Sequence, residues 1–142
     1  MNENARKNID QLVDQFWKRG YFTVSRKFGT YLPEPSKVGR FDVDIIARYK
    51  KDYAIGITLT EQDLQNINLS KKLTYLATRH TKYSNKQVRL FVGVPVSCFK
   101  QAKIFIEQLD PDVQKKIKLL QIVDKTLPSV RKSKRVPSIL FS

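Results

Sequence analysis

Two strand-like segments joined by a short polar turn limit the folds open to this chain more than any other feature. Residues 40–48 and 53–60 are rich in β-branched and aromatic side chains, and Lys50, Lys51 and Asp52 form the turn between them. Strands joined by so short a connection pair as an antiparallel hairpin. We therefore expect a sheet built around this hairpin.

Segments with helical periodicity flank the hairpin. One apolar stripe within residues 4–19 is formed by Ile9, Leu12, Val13, Phe16 and Trp17. We predict helices over residues 4–19, 62–81 and 97–109, a helical turn starting at Asp110-Pro111, and further strands over residues 21–27, 88–94 and 117–123. A strand reached across a helix is expected to run parallel to its partner. The pattern predicts a single α/β domain over residues 1–124, with a mixed central sheet flanked by helices.

The charge of the chain favours a polyanion as partner. The 142 residues include 27 Lys and Arg against 13 Asp and Glu, for a formal net charge of +14. An apolar content of 41% and an aromatic content of 11% exclude a basic disordered chain. Nucleic acid is the commonest partner for a folded domain with such a field.

A basic C-terminal tail over residues 125–142 carries part of this charge. It holds five basic residues and no acid, so +9 remains on the rest of the chain. The run Arg131, Lys132, Lys134 and Arg135 is either a phosphate-binding arm, a localisation signal or a solvated end.

Cysteine content and hydropathy indicate the compartment. One Cys excludes an internal disulfide and a multi-cysteine zinc site. No run of 18 apolar residues occurs, and the chain starts with a polar stretch rather than a secretory signal. We expect an intracellular, cytoplasmic protein with no membrane partner.

Two aspartates stand out in the predicted second strand. Asp42 and Asp44 lie two residues apart, so on one strand they share a face. A carboxylate on a strand buried on both faces needs a partner. That partner is either a metal ion, a basic side chain such as Arg40 or Arg48, or a set of backbone N–H groups.

The segment around these aspartates resembles the PD-(D/E)xK nuclease superfamily, which includes restriction endonucleases and archaeal Holliday-junction resolvases. Residues 39–47 read Gly-x-x-Asp-x-Asp-Ile-Ile-Ala, and a basic turn and an apolar strand follow. Residues 17–24, Trp-Lys-Arg-Gly-Tyr-Phe-Thr-Val, cover the end of the first predicted helix and the start of the strand after it. This segment is similar to the resolvase pattern. The resemblance covers residues 4–94 and implies a restriction endonuclease-like αβββαβ core.

The resemblance also implies a Mg²⁺ site for phosphodiester hydrolysis. Members of the superfamily supply an Asp from the second core strand, a Glu from the third, and a Lys two residues after that Glu. Asp44 matches the strand-two Asp and is the candidate metal ligand, with Asp42 beside it as a second catalytic candidate. Thr58 and Thr60 stand where the Glu and the Lys are expected. The metal site is therefore degenerate, because hydroxyl groups bind Mg²⁺ weakly.

Two rearrangements would restore the site. Glu61 or Asp63, at the start of the next helix, could supply a second carboxylate. Lys50 or Lys72 could replace the missing Lys.

Basic and aromatic residues near the hairpin are candidates for a nucleic-acid groove. The basic members are Lys37, Arg40, Arg48, Lys50 and Lys51, and the aromatic ones are Tyr31, Tyr49 and Tyr53. A solvated turn beside ordinary strand residues is an equally open interpretation.

Three functions remain open at this point. The first is a nucleic-acid-binding protein of nuclease-like fold with an inactive metal site, and the second is an active Mg²⁺-dependent endonuclease or junction resolvase with a rearranged site. The third is a non-enzymatic assembly or regulatory protein. The resemblance further implies a homodimer, since a two-fold substrate suits a two-fold enzyme.

Four other residues have structural interpretations. We predict that His80 is a hydrogen-bonded residue at a helix end and that Cys98 is a small buried residue. Gly56 and Gly93 lie in predicted strands, where a glycine indicates the close approach of another element.

Overall fold

The helices and strands follow one another in the predicted order. The computed structural model describes residues 2–81 and 86–123, so the basic tail with Arg131, Lys132, Lys134 and Arg135 lies outside the described residues. In chain order the elements are α1 (Asn2–Lys18), β1 (Phe22–Arg26), β2 (Ile45–Tyr49), β3 (Asp52–Thr58), α2 (Glu61–Leu64), α3 (Leu69–Ala77), β4 (Arg89–Pro95), α4 (Val96–Glu107), α5 (Pro111–Gln114) and β5 (Ile117–Ile122).

The strands form one mixed sheet in which neighbours in sequence are neighbours in space. The order is β1-β2-β3-β4-β5. The pairs β1–β2 and β2–β3 are antiparallel, whereas β3–β4 and β4–β5 are parallel. The predicted hairpin and the predicted parallel β4 are both confirmed. As a consequence, β3, β4 and β5 all begin at the same end of the sheet, and β2 ends there.

Helix α1 covers one face of the sheet. Its buried residues Ile9, Leu12 and Phe16 pack against Ile45, Ala47, Ala54, Phe91 and Leu120. This confirms the stripe predicted from periodicity at three of its five positions, and Val13 packs at the edge of the same cluster. Trp17 differs, because it is 62% exposed and packs edge-on against Phe22 with ring centroids 5.5 Å apart.

Helices α3 and α4 contribute to the larger core on the other face. Leu73, Leu76 and Ala77 of α3 are fully buried, and Ala102 of α4 is 1% exposed. They enclose the strand residues Ile55, Ile57, Leu90, Val92 and Val94. Burial on both faces explains why β3 and β4 read as continuous apolar runs instead of alternating ones.

Gly56 allows α1 to approach the sheet closely. A Cβ atom at this position would lie 2.6 Å from Cε2 of Phe16 and 3.2 Å from Cβ of Ile45. Real Cβ atoms do not come so close to another carbon, so the prediction of a close approach at this glycine is confirmed. The side chain of Phe16 occupies the space that a larger residue would fill.

Strand β2 begins at Ile45, later than predicted. Val38 and Phe41 exchange backbone hydrogen bonds of 3.0 and 3.1 Å, so the chain turns tightly before the strand. Asp42 and Asp44 therefore both precede β2. The prediction that they lie on one strand and share a face is wrong.

The helix predicted over residues 62–81 is interrupted. It is divided into α2 (Glu61–Leu64) and α3 (Leu69–Ala77). In the gap, Oδ1 of Asn66 accepts a hydrogen bond of 2.8 Å from the backbone N–H of Asn68. Such local side-chain hydrogen bonds compete with the helical pattern, which explains the break.

Candidate functional site

Asp44 is held at the junction of three strands. It lies just before β2, and its side chain is 14% exposed. Its Oδ2 accepts hydrogen bonds from the backbone N–H and the hydroxyl of Thr58, at 2.7 and 3.0 Å. Its Oδ1 lies 3.5 Å from Nζ of Lys27. Both oxygens of the carboxylate therefore have partners from the protein.

The second aspartate does not join this arrangement. Asp42 is exposed, whereas the neighbouring Val43 is buried. A carboxylate in this position faces solvent and needs no specific partner. The structure thus does not bring Asp42 and Asp44 together as a pair of ligands.

Thr60 and Asp63 have a structural role of their own. Strand β3 ends at Thr58, so Thr60 lies outside the strand that was expected over residues 53–60. Thr60 is instead the N-cap of α2, and its side chain accepts a hydrogen bond from the backbone N–H of Asp63. Oδ2 of Asp63 in turn accepts from the backbone N–H of Thr60 at 2.8 Å. This reciprocal capping box holds Asp63 at the helix terminus.

The residues at Asp44 do not fit a magnesium ion. Mg²⁺ requires several oxygen ligands in octahedral geometry. Within residues 2–81 and 86–123, no three Asp, Glu, His or Cys side chains are grouped closely enough to hold a metal ion. Asp10, an acid of α1, is ion-paired with Arg26.

Neither lysine proposed as a replacement stands beside Asp44. Lys50 follows β2, so the five residues of that strand, about 16 Å at the usual rise per residue, separate it from Asp44. Lys72 lines a shallow cavity of about 170 Å³ together with Asp63 and Phe41. The amine found near the Asp44 carboxylate is that of Lys27, which follows β1 and which sequence reasoning missed.

The predicted basic residues fall into two groups. Lys37 and Arg40 lie on the loop before β2, and both are exposed. Arg48, Lys50 and Lys51 are gathered at the turn between β2 and β3, at the opposite end of that strand. The structure therefore does not unite the five residues in one groove.

Aromatic rings order the basic side chains at the β2–β3 turn. The guanidinium of Arg48 lies 5.7 Å from the ring centroid of Tyr53, and its Nε donates a hydrogen bond of 2.6 Å to the carbonyl of Lys50. Nζ of Lys50 lies 5.4 Å from the ring centroid of Tyr49. Contacts of this kind keep a cation near the surface while leaving it accessible.

A cleft of about 700 Å³ opens at this same end of the sheet. Its basic lining residues are Lys86, Arg89, Lys115 and Lys116, and Tyr21 and Tyr53 line it as well. We name this feature the basic cleft. The four cations outnumber the two acids in the lining, Asp52 and Asp112.

Parallel strand topology gathers basic residues at the end of the sheet where the basic cleft opens. Lys50 and Lys51 precede β3, Lys86 precedes β4, and Lys115 and Lys116 precede β5. These sequence positions are far apart, yet the three strands begin at one end of the sheet. A basic residue before each of three parallel strands was the signal in the sequence that would have identified the site.

The charges in the basic cleft are only partly compensated. Nζ of Lys86 lies 3.5 Å from Oδ1 of Asp52, and both side chains are about half exposed. In the parts of the chain that the structure describes, no ion pair engages Arg89, Lys115 or Lys116. These three cations are available to an anionic ligand.

The single histidine and the single cysteine lie elsewhere. His80 follows α3, is exposed and forms an isolated backbone bridge with Gln87. Cys98 is 7% exposed at the start of α4, which confirms that it is a small buried residue. Neither supplies a catalytic base or a nucleophile beside Asp44.

Comparison with known proteins gives no relative for the chain. No family model, curated protein or solved structure matches it. Among the described residues, no helix combines the length and the apolar character needed to cross a bilayer. The arrangement of side chains described above is therefore the basis for a functional proposal.

Proposed function

We propose that the chain binds nucleic acid, with DNA the favoured form, and does not cleave it with a metal ion. The observation that carries the proposal is the convergence of Lys50, Lys51, Lys86, Lys115 and Lys116 at one end of the sheet. The net charge of +14 adds a long-range field that attracts a polyanion. Contacts between basic side chains and phosphates supply most of the non-specific affinity of DNA-binding proteins.

A restriction endonuclease-like core is part of the proposal. Its support is the element order and the mixed sheet, which agree with the topology that the resemblance to the PD-(D/E)xK superfamily implies. The superfamily takes its Asp and its Glu from the second and third strands. Here Asp44 lies just before β2, Thr58 is the last residue of β3, and the two are hydrogen-bonded to each other. We propose that threonine has replaced the second metal-binding acid.

An active Mg²⁺-dependent endonuclease or junction resolvase is the alternative. It requires a second carboxylate to move toward Asp44, and Asp42, Glu61 and Asp63 are the candidates. Asp63 is held by its capping box with Thr60, which favours the non-cleaving protein.

Fluorescence anisotropy with labelled duplex and branched DNA tests the binding. We expect affinity to fall steeply with salt, with a logarithmic slope of about −4.5 if five phosphates are neutralised at about −0.9 each. Incubation of the same substrates with Mg²⁺ or Mn²⁺ should leave them intact. Cleavage that is abolished by Asp44→Ala would establish the endonuclease instead.

Absence of binding even at low salt would favour a non-enzymatic assembly or regulatory protein. In that case the positive charge would serve solubility or an acidic protein partner. A homodimer is part of the DNA-binding proposal, and sedimentation of the full chain with and without DNA tests it. An intracellular location is likewise proposed and is tested by fractionation of the host cell.

A further inference from the structure

We infer that the basic cleft binds a single-stranded segment of nucleic acid, so that an unpaired strand enters it and a duplex does not. This inference rests on the proposed function and assigns it to a particular site. The cleft lies at the end of the sheet opposite Asp44, so it is distinct from the position at which the superfamily performs its chemistry.

The size of the basic cleft favours a single strand. Its volume of about 700 Å³ lies within the range of about 300–1,000 Å³ that is typical of sites enclosing a small ligand. A B-form duplex has a major groove about 12 Å wide and presents its phosphates on a convex surface. Such a body contacts the rim of a concavity of this size, whereas a single strand can follow its floor.

The lining of the basic cleft combines the two groups that single-strand sites use. Arg89, Lys115 and Lys116 supply cations that have no ion-pair partner among the described residues. Tyr21 and Tyr53 supply half-buried aromatic side chains next to them. Proteins that bind single strands pair a positively charged groove for the backbone with aromatic rings for the bases.

Contacts within the protein hold the side chains of Tyr21 and Tyr53 in position before any ligand binds. The ring of Tyr21 makes contacts with Phe16 and Phe91, at centroid distances of 5.7 and 5.6 Å. Tyr53 packs at the edge of the larger core and against the guanidinium of Arg48. A binding surface that is already ordered loses less side-chain entropy when a ligand binds.

A charge-matched pair of variants tests the inference. The cleft variant combines Arg89→Gln, Lys115→Gln and Lys116→Gln. The control variant removes the same amount of charge from exposed helix positions elsewhere, by Lys71→Gln, Lys100→Gln and Lys103→Gln. Both are measured by anisotropy with an oligothymidylate of about 12 nucleotides, a length within the usual site sizes of about 4–16 nucleotides. A blunt duplex of the same length is measured in parallel.

We expect the affinity of the cleft variant for the single strand to depend less steeply on salt. Three lost phosphate contacts at about 0.7 each reduce the logarithmic slope by about 2. Between 50 and 200 mM salt, the affinity of each variant falls by some factor, and this factor should be about 20 times smaller for the cleft variant than for the control variant. At 50 mM salt the cleft variant should bind the oligothymidylate more weakly than the control variant. The difference between the two variants should be smaller on the duplex, which reaches only the rim of the cleft.

The outcomes separate the inference from the proposed function. Equal binding of the oligothymidylate by the two variants would overturn the inference while leaving nucleic-acid binding intact. If the cleft variant lost the same factor of affinity on the single strand and on the duplex, the cleft would be a general phosphate surface. That result would also overturn the inference. A wild-type chain that binds neither ligand would overturn the proposed function and the inference together.

A second variant checks the aromatic part of the site independently. Tyr53→Leu keeps an apolar side chain against the core but removes the aromatic face. We expect affinity for the oligothymidylate to fall about 5-fold or more, because stacking on one base contributes at least that factor. The salt slope should stay unchanged, whereas a change in slope with constant low-salt affinity would contradict a stacking role.

Discussion

The backbone N–H and the hydroxyl of Thr58 both donate to a single oxygen of Asp44, at 2.7 and 3.0 Å. The carboxylate therefore joins the end of β3 to the start of β2 in the manner of a structural cross-link. Its other oxygen lies 3.5 Å from the amine of Lys27, after β1. One side chain thus connects the end of β1, the start of β2 and the end of β3.

Asp44→Ala should lower the free energy of unfolding by about 1–3 kcal/mol. The substitution leaves the N–H and the hydroxyl of Thr58 without their acceptor in a partly buried position. Asp42→Ala is the matched control, because Asp42 is exposed, and it should change stability by less than about 0.5 kcal/mol. Urea unfolding of the two variants measures the difference. Equal stabilities would show that the Asp44 hydrogen bonds contribute nothing net.

Thr58→Glu should create a metal-dependent stability that the wild-type chain lacks. A carboxylate at this position would stand next to that of Asp44, and the two would repel each other in the absence of a cation. Mg²⁺ or Mn²⁺ at ten times its Kd would then stabilise the variant by about 1.4 kcal/mol.

Thermal unfolding with and without the metal measures this effect. Thr58→Gln is the control, since it adds similar volume without the charge and should show no response to the ion. A response of equal size in Thr58→Gln would mean that the metal binds elsewhere.

Thr60→Ala should destabilise the chain by about 1 kcal/mol through loss of the capping box. The backbone N–H of Asp63 loses its acceptor, and Asp63 loses the hydroxyl of Thr60 as a donor. Gln62→Ala lies in the same short helix, is exposed and should be close to neutral. Chemical denaturation compares them, and a neutral Thr60→Ala would remove the structural explanation for the threonine at this position.

Gly56→Ala should cost about 1–3 kcal/mol by overpacking. The added methyl group would lie 2.6 Å from Cε2 of Phe16, so α1 or the ring must shift. Combining it with Phe16→Leu gives space to the new methyl group. The double variant should then be more stable than the sum of the two single effects predicts, and strict additivity would contradict the contact.

The topology could be predicted from sequence because each piece of it has a local cause. The polar turn at Lys50 and Lys51 requires a hairpin, and the connection through a helix requires a parallel strand. The boundaries could not be predicted as well. The turn that pairs Val38 with Phe41 and the hydrogen bond from Asn68 to Asn66 are local alternatives that compete with strand and helix.

Only part of the candidate site could be predicted from the sequence. Asp44 and Thr58 are candidates for one site in the sequence, and in the structure they are hydrogen-bonded to each other. The proximity of Lys27 and the gathering of Lys86, Lys115 and Lys116 depend on which strand ends meet in space. Spacing along the chain carries that information only once the direction of every strand is known.

The exposed packing of Trp17 against Phe22 gives the molecule an intrinsic optical reporter. Trp17 is the only tryptophan in the chain, so all indole emission arises from the junction between α1 and β1. Its emission maximum and quenching by iodide therefore follow the docking of β1, the edge strand that pairs with β2 alone. Undocking of that strand can be followed by steady-state spectroscopy without attaching a dye.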